Sequence, residues 1–447
     1  MSATHLANID LKAALAEAEE QYRARNPRSL NQHQAACAAM PGGNTRSAIH
    51  VDPFPLTITR GEGARLWDID GHEYVDFLSE FTAGIYGHSH PVIRKAIDGA
   101  LDQGLNFGAH NTLEARFAAV ICARFPSIEL VRFTNSGTEA NLMAVSAARA
   151  ITGRPKILVF EGGYHGGVFY FRGHGGLLNA PFDFLLGRYN DLDAVEALVR
   201  PYRGELAAIL IEPMQGTTGC IPADRAFLAG LRAMADETGA LLIFDEVMTS
   251  RLAPGGLQEV HGVLPDLTTL GKYVGGGMSF GAFGGRADVM ERFDPRRPDA
   301  FQHAGTFNNN VLTMSAGLAG LTEIYTPQRA HALNAFGDRL REQLNAVAHR
   351  HGVAMQFTGL GSMLSVHMTD RPIRSQDDAE AGNAALRDLF WFDLVARGIW
   401  FAKRGMFALS LALDDDDGAK LVDAVEEFAQ TRAPLCEGLS DRFTSSR

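Results

Sequence analysis

Two residues that close apolar runs carry the first hint of chemistry. In LLIFDEVMTSR a carboxylate, Asp245, ends a strand-like run, and in DLTTLGKYVGGG a lysine, Lys272, ends another. A carboxylate at a buried strand end is costly unless it has a partner. One such partner is a cationic heterocycle, because a buried Asp keeps a pyridinium nitrogen protonated and turns the ring into an electron sink. Capping the next turn is an equally good use for Asp245 taken alone. A lysine in a semi-buried cleft can lose its proton and form an imine with an aldehyde, although a plain surface position is the commoner fate of the residue. Both residues end strands, so both can face one ring, and together they point to pyridoxal phosphate. The lysine does not belong to a nucleotide phosphate loop, because G-x-x-x-x-G-K-[ST] needs Ser or Thr next and Tyr273 follows Lys272. The glycines after Lys272 are expected to leave it room to swing.

A phosphate needs a cradle, and FTNSGTEANLMAVSAARA offers one. Ser136, Gly137 and Thr138 open an Ala-rich helix, whose first N–H groups bind anions and whose Gly admits close approach. Ser136 and Glu139 also have the spacing of a capping box, and the two uses are compatible. In EGGYHGG, Tyr164 offers a flat ring to stack on a pyridine, though packing is the usual role of such a residue. In HAGTFNNN, Thr306 offers a second phosphate donor.

The elements that must position these residues are legible as well. KILVF (156–160), AAILI (207–211) and ALLIF (240–244) read as buried strands, separated by helical patterns such as DLDAVEALVRPY and RAFLAGLRAMADETG. Strands alternating with helices imply a parallel sheet covered on both faces. Glu161, Glu212 and Asp245 each follow one of those strands. Each alone could cap a turn, but ligands of open α/β sheets bind beyond the carboxyl ends of the strands, so equivalent positions imply one cleft. After about residue 325 comes a long amphipathic helix, ALNAFGDRLREQLNAVAHRHG, then strand-like segments and a final helix, AKLVDAVEEFAQTR. PLTITRGEGARLWDIDGHEYVDF reads as an antiparallel meander expected to pack with that C-terminal unit.

Bulk properties exclude several classes. The 447 residues are 46% hydrophobic and 21% charged, ordinary for a globular protein of more than one domain. A net charge of -11 disfavours a nucleic-acid partner, and no apolar run is long enough to span a membrane. The N-terminus reads as an amphipathic helix and lacks the pattern of a signal peptide. Four cysteines far apart, with no C-x-x-C pair, disfavour a zinc site or disulfide framework and make the cytoplasm the expected compartment. No metal site is expected. One further motif, G-x-S-x-G at 277–281, names Ser279 as a hydrolase nucleophile. That elbow demands a strand, a strained turn and a helix, whereas AFGGRADVM reads as strand then helix, so a hydrolase is a remote alternative.

The ordered set NSGTEAN, GGYHG, EPMQG, DEVMTSR, TTLGKYVGGG and HAGTF resembles the class III aminotransferases of pyridoxal-phosphate (PLP) fold type I, over nearly the whole chain. The most similar branch holds the β-amino-acid (β-phenylalanine) aminotransferases and the glutamate-1-semialdehyde aminomutases. The resemblance implies an α/β fold with a large, mainly parallel sheet and a smaller α+β domain. On that pattern 76–325 would form the large cofactor-binding domain, 1–75 an N-terminal segment contributing to the small domain, and 326–447 the C-terminal small domain. It also implies that Lys272 holds PLP as an imine, that Asp245 pairs with the pyridine nitrogen, and that Tyr164 and Val247 pack on opposite faces of the ring. Ser136, Gly137 and Thr138 would bind phosphate, with Thr306 reaching across from a partner subunit in a homodimer, and Glu212 would belong to the cofactor pocket.

The branch is suggested by arginines. PGGNTRS carries Arg46 and FAKRGM carries Arg404. A surface position is the usual state of either. In the β-amino-acid transaminases arginines at matching places bind substrate carboxylates, which suits the bidentate guanidinium. N-T-R-S, and GTFNNNVL in place of a glycine–asparagine–proline ending, depart from the aminomutases. The expected activity is therefore transfer of an amino group from a β-amino acid or aryl amine to a 2-oxo acid by a ping-pong mechanism. Glutamate-1-semialdehyde 2,1-aminomutase is the alternative.

Overall fold

A computed structural model describes residues 10–436. The N-terminal amphipathic pattern forms helix Leu11–Arg25, which buries Ala14, Ala18 and Tyr22 at helical spacing. A second helix, Pro27–Cys37, begins on a proline whose missing N–H costs nothing there. Residues 1–9 of that predicted helix lie outside the described residues. The expected meander follows as β1 (Ile58–Glu62), β2 (Arg65–Asp68) and β3 (Glu73–Asp76), each antiparallel to its neighbour.

The large sheet is built from β4 (Leu130–Thr134), β5 (Lys156–Phe160), β6 (Asp183–Gly187) and β7 (Leu206–Ile211), and then from three later strands. A short ribbon, β8 (Met214–Gln215) with β9 (Ile221–Pro222), precedes β10 (Leu241–Asp245), β11 (Leu267–Gly271) and β12 (Gly281–Gly285). Its order is β4-β12-β11-β10-β7-β5-β6. In this sheet β12 runs antiparallel to both its neighbours, β11 and β4, and the remaining pairs are parallel. Every residue of β7, β10, β11 and β12 is buried, as expected where helices cover both faces. Truncating a fully buried member such as Ile243 to Ala would cost about 2–5 kcal/mol.

Helix Pro327–Arg350 buries Ala330, Leu333, Gly337, Leu340, Leu344 and Val347, a stripe at three- and four-residue spacing. It packs on an antiparallel sheet of β13 (Gln356–Leu360) and β14 (Met363–His367), completed below by a later strand, and the last helix is Asp415–Cys436. Between them, β15 (Ile399–Trp400) leaves that unit and pairs in parallel with β3, Ile399 opposite Val75 and Trp400 opposite Asp76. β16 (Met406–Ala408) returns to β14. The early meander and the C-terminal segment thus share a sheet, which brings the loops around Arg46 and Arg404 to one side of the molecule.

Candidate active site

β7, β10 and β11 are parallel neighbours, so their carboxyl ends lie on one edge, the edge where open α/β sheets bind ligands. Glu212 follows the first, Asp245 ends the second and Lys272 follows the third. Asp245 is 4% exposed and almost fully bonded. Its Oδ1 accepts the Val247 amide at 3.0 Å, while Oδ2 accepts Asn141 Nδ2 at 2.8 Å and lies 2.8 Å from His165 Nδ1. Asn141 is held in turn by Thr269, whose hydroxyl donates to Asn141 Oδ1 at 2.8 Å, and Asn141 Nδ2 also reaches the His165 carbonyl at 3.1 Å. Such a network fixes the orientation of the carboxylate in a buried setting.

Glu212 is also buried, and accepts the Tyr164 amide at 3.0 Å and the Gly216 amide at 3.3 Å. Burial pushes its carboxyl pKa up to about 7, with the Asp245 charge adding to the rise and His165 opposing it. Glu161, expected at the same edge, engages instead through its backbone, to Gly187 and Gln215.

Lys272 has φ +52°, a left-handed conformation that is rare for a bulky side chain and that holds its Cα at a fixed turn after β11. Burial lowers its ammonium pKa to about 8, against the opposing pull of Asp245 and Glu212, and Arg404 and Arg46 lower it further. A free base is therefore accessible near neutral pH. Two of the glycines that follow are tightly packed, while Gly277 is exposed with open space around it. A Cβ on Gly275 would fall 2.2 Å from Phe280, and one on Gly276 (φ +69°) would fall 2.4 Å from the backbone of Ala316. They permit close packing of a buried turn.

Helix Gly137–Thr152 begins at the same edge, just after β4. The Ser136 hydroxyl accepts the Glu139 amide at 3.2 Å, which leaves the Gly137 and Thr138 amides without an intrahelical acceptor. The capping box is only half made, because the Glu139 carboxylate reaches past Ser136 to the Asn135 amide. Thr138 Oγ1 accepts the Gly167 amide at 3.2 Å. Gly137 faces Val247, where a Cβ would stand 2.8 Å from a Val247 methyl, so the helix start and Val247, two residues past Asp245, form one floor. On the other side Tyr164, 36% exposed, sits edge-on to Tyr170 at 5.3 Å, and burial with the nearby Asp245 charge raises its hydroxyl pKa.

Ser279 is exposed, between the turn Lys272–Gly275 and β12. A strand and not a helix follows it, so the hydrolase elbow is absent and that alternative is discarded.

Farther out, one aromatic ring lies between the two arginines. The Arg404 guanidinium is 4.8 Å from the Phe81 ring centre and that of Arg46 is 5.4 Å from it. Burial lowers the Arg404 pKa, its Nε is buried without a hydrogen-bond partner, and Nη2 lies 3.5 Å from Met406 Sδ. Among the described residues no carboxylate pairs with it. Arg46 is half exposed and donates to Glu80 Oε1 at 2.5 Å. Glu80 and Phe81 belong to a run of four residues at positive φ, Ser79 to Thr82, between 45° and 83°. Left-handed backbone costs non-glycine residues roughly 1–2 kcal/mol each, so the run is a concentrated outlier. Thr306 is exposed, on a loop whose Asn308 accepts Asn135 Nδ2 at 3.0 Å, beside the Gly137 helix start.

The class III aminotransferase family model matches residues 47–175 and 185–431. The chain is a class III aminotransferase. A curated β-phenylalanine transaminase from Variovorax paradoxus is 53% identical over 425 residues, covering 95% of this chain and 97% of that protein. The crystal structure of a β-phenylalanine aminotransferase from the same organism matches with a TM-score of 0.94 and 53% identity, over 95% of this chain and 99% of its own. A glutamate-1-semialdehyde aminomutase from Pseudomonas aeruginosa matches with a TM-score of 0.86, over 94% and 98% of the two chains. At 24% identity that likeness is one of fold alone.

This aminotransferase is PLP-dependent and has fold type I, and its residues fit the cofactor. The donor set suits it: an amine of lowered pKa, a buried carboxylate held in place, and a helix start with two free amides beside a glycine floor. Sequence reasoning missed Asn141, His165, Thr269, Glu80 and Phe81. A signal for Asn141 was present, as a lone polar residue within the buried stripe Ala140, Ala144, Ala148. Glu80 and Phe81 gave none, because nothing in their types announces a left-handed run.

Proposed function

We propose that this aminotransferase takes its amino group from a β-amino acid such as β-phenylalanine, or from an aryl amine, and gives it to a 2-oxo acid in a ping-pong cycle. The observation that carries the reading is Arg404, a part-buried cation whose Nε is buried and which has no carboxylate partner among the described residues, set across Phe81 from a second arginine. Buried charges are ordinarily paired, so Arg404 calls for an anionic ligand. Two arginines can divide the work, Arg46 holding the carboxylate of a β-amino acid and Arg404 a carboxylate of the acceptor. The name of the V. paradoxus enzyme supports the same donor class.

Bound PLP would supply the electron sink for the carbon that carries the amino group. Lys272 Nζ would anchor the cofactor and, released as free base, move the proton at that carbon. Asp245 would keep the pyridine nitrogen protonated, Tyr164 and Val247 would flank the ring, and Glu212 would hold the Tyr164 loop by accepting the Tyr164 N–H. Ser136, Gly137 and Thr138 would bind the phosphate. Thr306 would complete the phosphate site of a second copy in a homodimer. Its loop is bonded to the 105–111 segment, and Leu105, Phe107 and Phe307, 43–57% exposed there, form an apolar surface suited to burial against that copy. We also infer the domain division at about residues 75 and 325, and a reducing, cytoplasmic setting, in keeping with free Cys37, Cys122 and Cys220. Among the described residues no helix is long and apolar enough to cross a membrane.

The test is a half-reaction without acceptor. β-Phenylalanine should convert the cofactor's near-visible absorption to that of its amine form. Conversion by glutamate-1-semialdehyde and not by β-phenylalanine would favour the aminomutase instead.

A further inference from the structure

Arg46 is not free to meet a ligand, because Glu80 already occupies it. The 2.5 Å pair is half exposed, with 48% of the Arg46 side chain and 57% of the Glu80 side chain open to solvent. Exposed pairs are weak, so a better-placed carboxylate can replace this one. Glu80 does not reach Arg46 by the chance swing of a surface side chain. The backbone that delivers it is the left-handed run Ser79 to Thr82, and that run is pinned at both ends. Asp76 Oδ1 accepts the Leu78 and Ser79 amides at 2.9 Å each, and Asp76 Oδ2 is braced by His88 Nε2 at 2.8 Å. At the other end the Gly84 amide returns to the Ser79 carbonyl at 2.8 Å, and buried Arg251 donates to the Thr82 carbonyl at 3.4 Å. Strain held in this way is characteristic of sites with a task. The pair also opens on a cavity of about 650 Å³, whose walls include Ile58, Leu66, Phe81 and Trp400.

We propose that Glu80 is a specificity-determining residue. Its carboxylate fills the Arg46 carboxylate site until an acidic donor displaces it, and it neutralises Arg46 when the donor is an amine with no carboxylate. One pocket thereby accepts both charged and uncharged donors. The proposal rests on the reading of Arg46 given above.

The test is a double-mutant cycle on the holoenzyme, with affinity for 3-phenylpropanoate measured by calorimetry. This acid has the carboxylate and aryl group of the donor and no amine, so it reports binding without turnover. Glu80→Gln should tighten it about three- to fivefold, the size expected of an exposed pair, and Glu80→Asp should stay near wild type. In an Arg46→Ala background Glu80→Gln should change nothing. In steady state, Glu80→Gln should lower KM for β-phenylalanine and raise KM for 1-phenylethylamine. Unchanged affinity in Glu80→Gln, or an equal gain with and without Arg46, would overturn the proposal. If the wild type failed to convert β-phenylalanine, the donor assignment would fall while the affinity cycle still decided the role of Glu80.

Discussion

The two ends of the cleft are held by different kinds of structure. At the inner end Glu212, Asp245 and Lys272 sit at the ends of β7, β10 and β11, three adjacent strands buried along their length. At the outer end Arg46, Glu80, Phe81 and Arg404 come from loops remote in sequence, and part of that group is exposed to water. The inner end is therefore fixed before any ligand arrives, and its hydrogen bonds act in a low-dielectric setting where each is strong. The outer end is made of contacts that are individually weak and exchangeable. Changes at the inner end should damage every reaction alike. Changes at the outer end should depend on which substrate is offered.

The largest effect belongs to Lys272→Ala, which should abolish turnover with every donor and leave PLP held without a covalent bond. Borohydride treatment followed by mass measurement checks this; cofactor fixed to the variant would mean that another lysine is the anchor. Asp245→Asn should lower kcat by a factor on the order of 10²–10³ or more for β-amino acid and amine alike, because an amide does not keep a ring nitrogen protonated. A variant within a few-fold of wild type, measured by stopped-flow half-reaction, would refute that assignment. Arg404→Ala, at the outer end, should cost about 2–3 kcal/mol in kcat/KM for a dicarboxylate 2-oxo acid and much less for the amine half-reaction. Equal losses in both halves would place Arg404 with the inner group.

The smallest effect is on stability. Burial sets the Lys272 pKa near 8 in the folded protein, below its ordinary value of 10.5. Between those values the unfolded chain binds the proton and the folded one does not. Lys272 should therefore make the cofactor-free protein more stable as pH rises through that window, and contribute no slope below it. Chemical denaturation from pH 7 to 10.5 should show the rise in wild type and a flatter profile in Lys272→Met. Identical slopes would mean that the ammonium is not desolvated.

The same contrast explains what the sequence could announce. Inner residues lie at the boundary between an apolar run and a polar residue, a pattern that also positions them, so Asp245, Glu212 and Lys272 were legible along with β5, β7 and β10. The meander was legible on other grounds, as a short antiparallel series, and β3 does pair with β15 of the C-terminal segment. The supports of the inner residues were not: Asn141 and His165 meet Asp245 only after β10 is laid beside helix Gly137–Thr152 and the loop after β5. Composition could not tell which glycines after Lys272 are tightly packed; Phe280 and Ala316 crowd Gly275 and Gly276 and leave Gly277 open. At the outer end the arginines were visible as types, but their arrangement about Phe81 depends on four left-handed residues that no local rule predicts.

The claim that one end performs the chemistry while the other reads the substrate is tested most directly with Arg46→Ala and a matched donor pair. The measurement is kcat/KM for β-phenylalanine and for 1-phenylethylamine, each in wild type and variant, with a common acceptor. Loss of a charge-assisted contact should lower the first by a factor of about 10 to 100 and leave the second nearly unchanged. Equal losses for both donors would contradict the account and make Arg46 a structural residue.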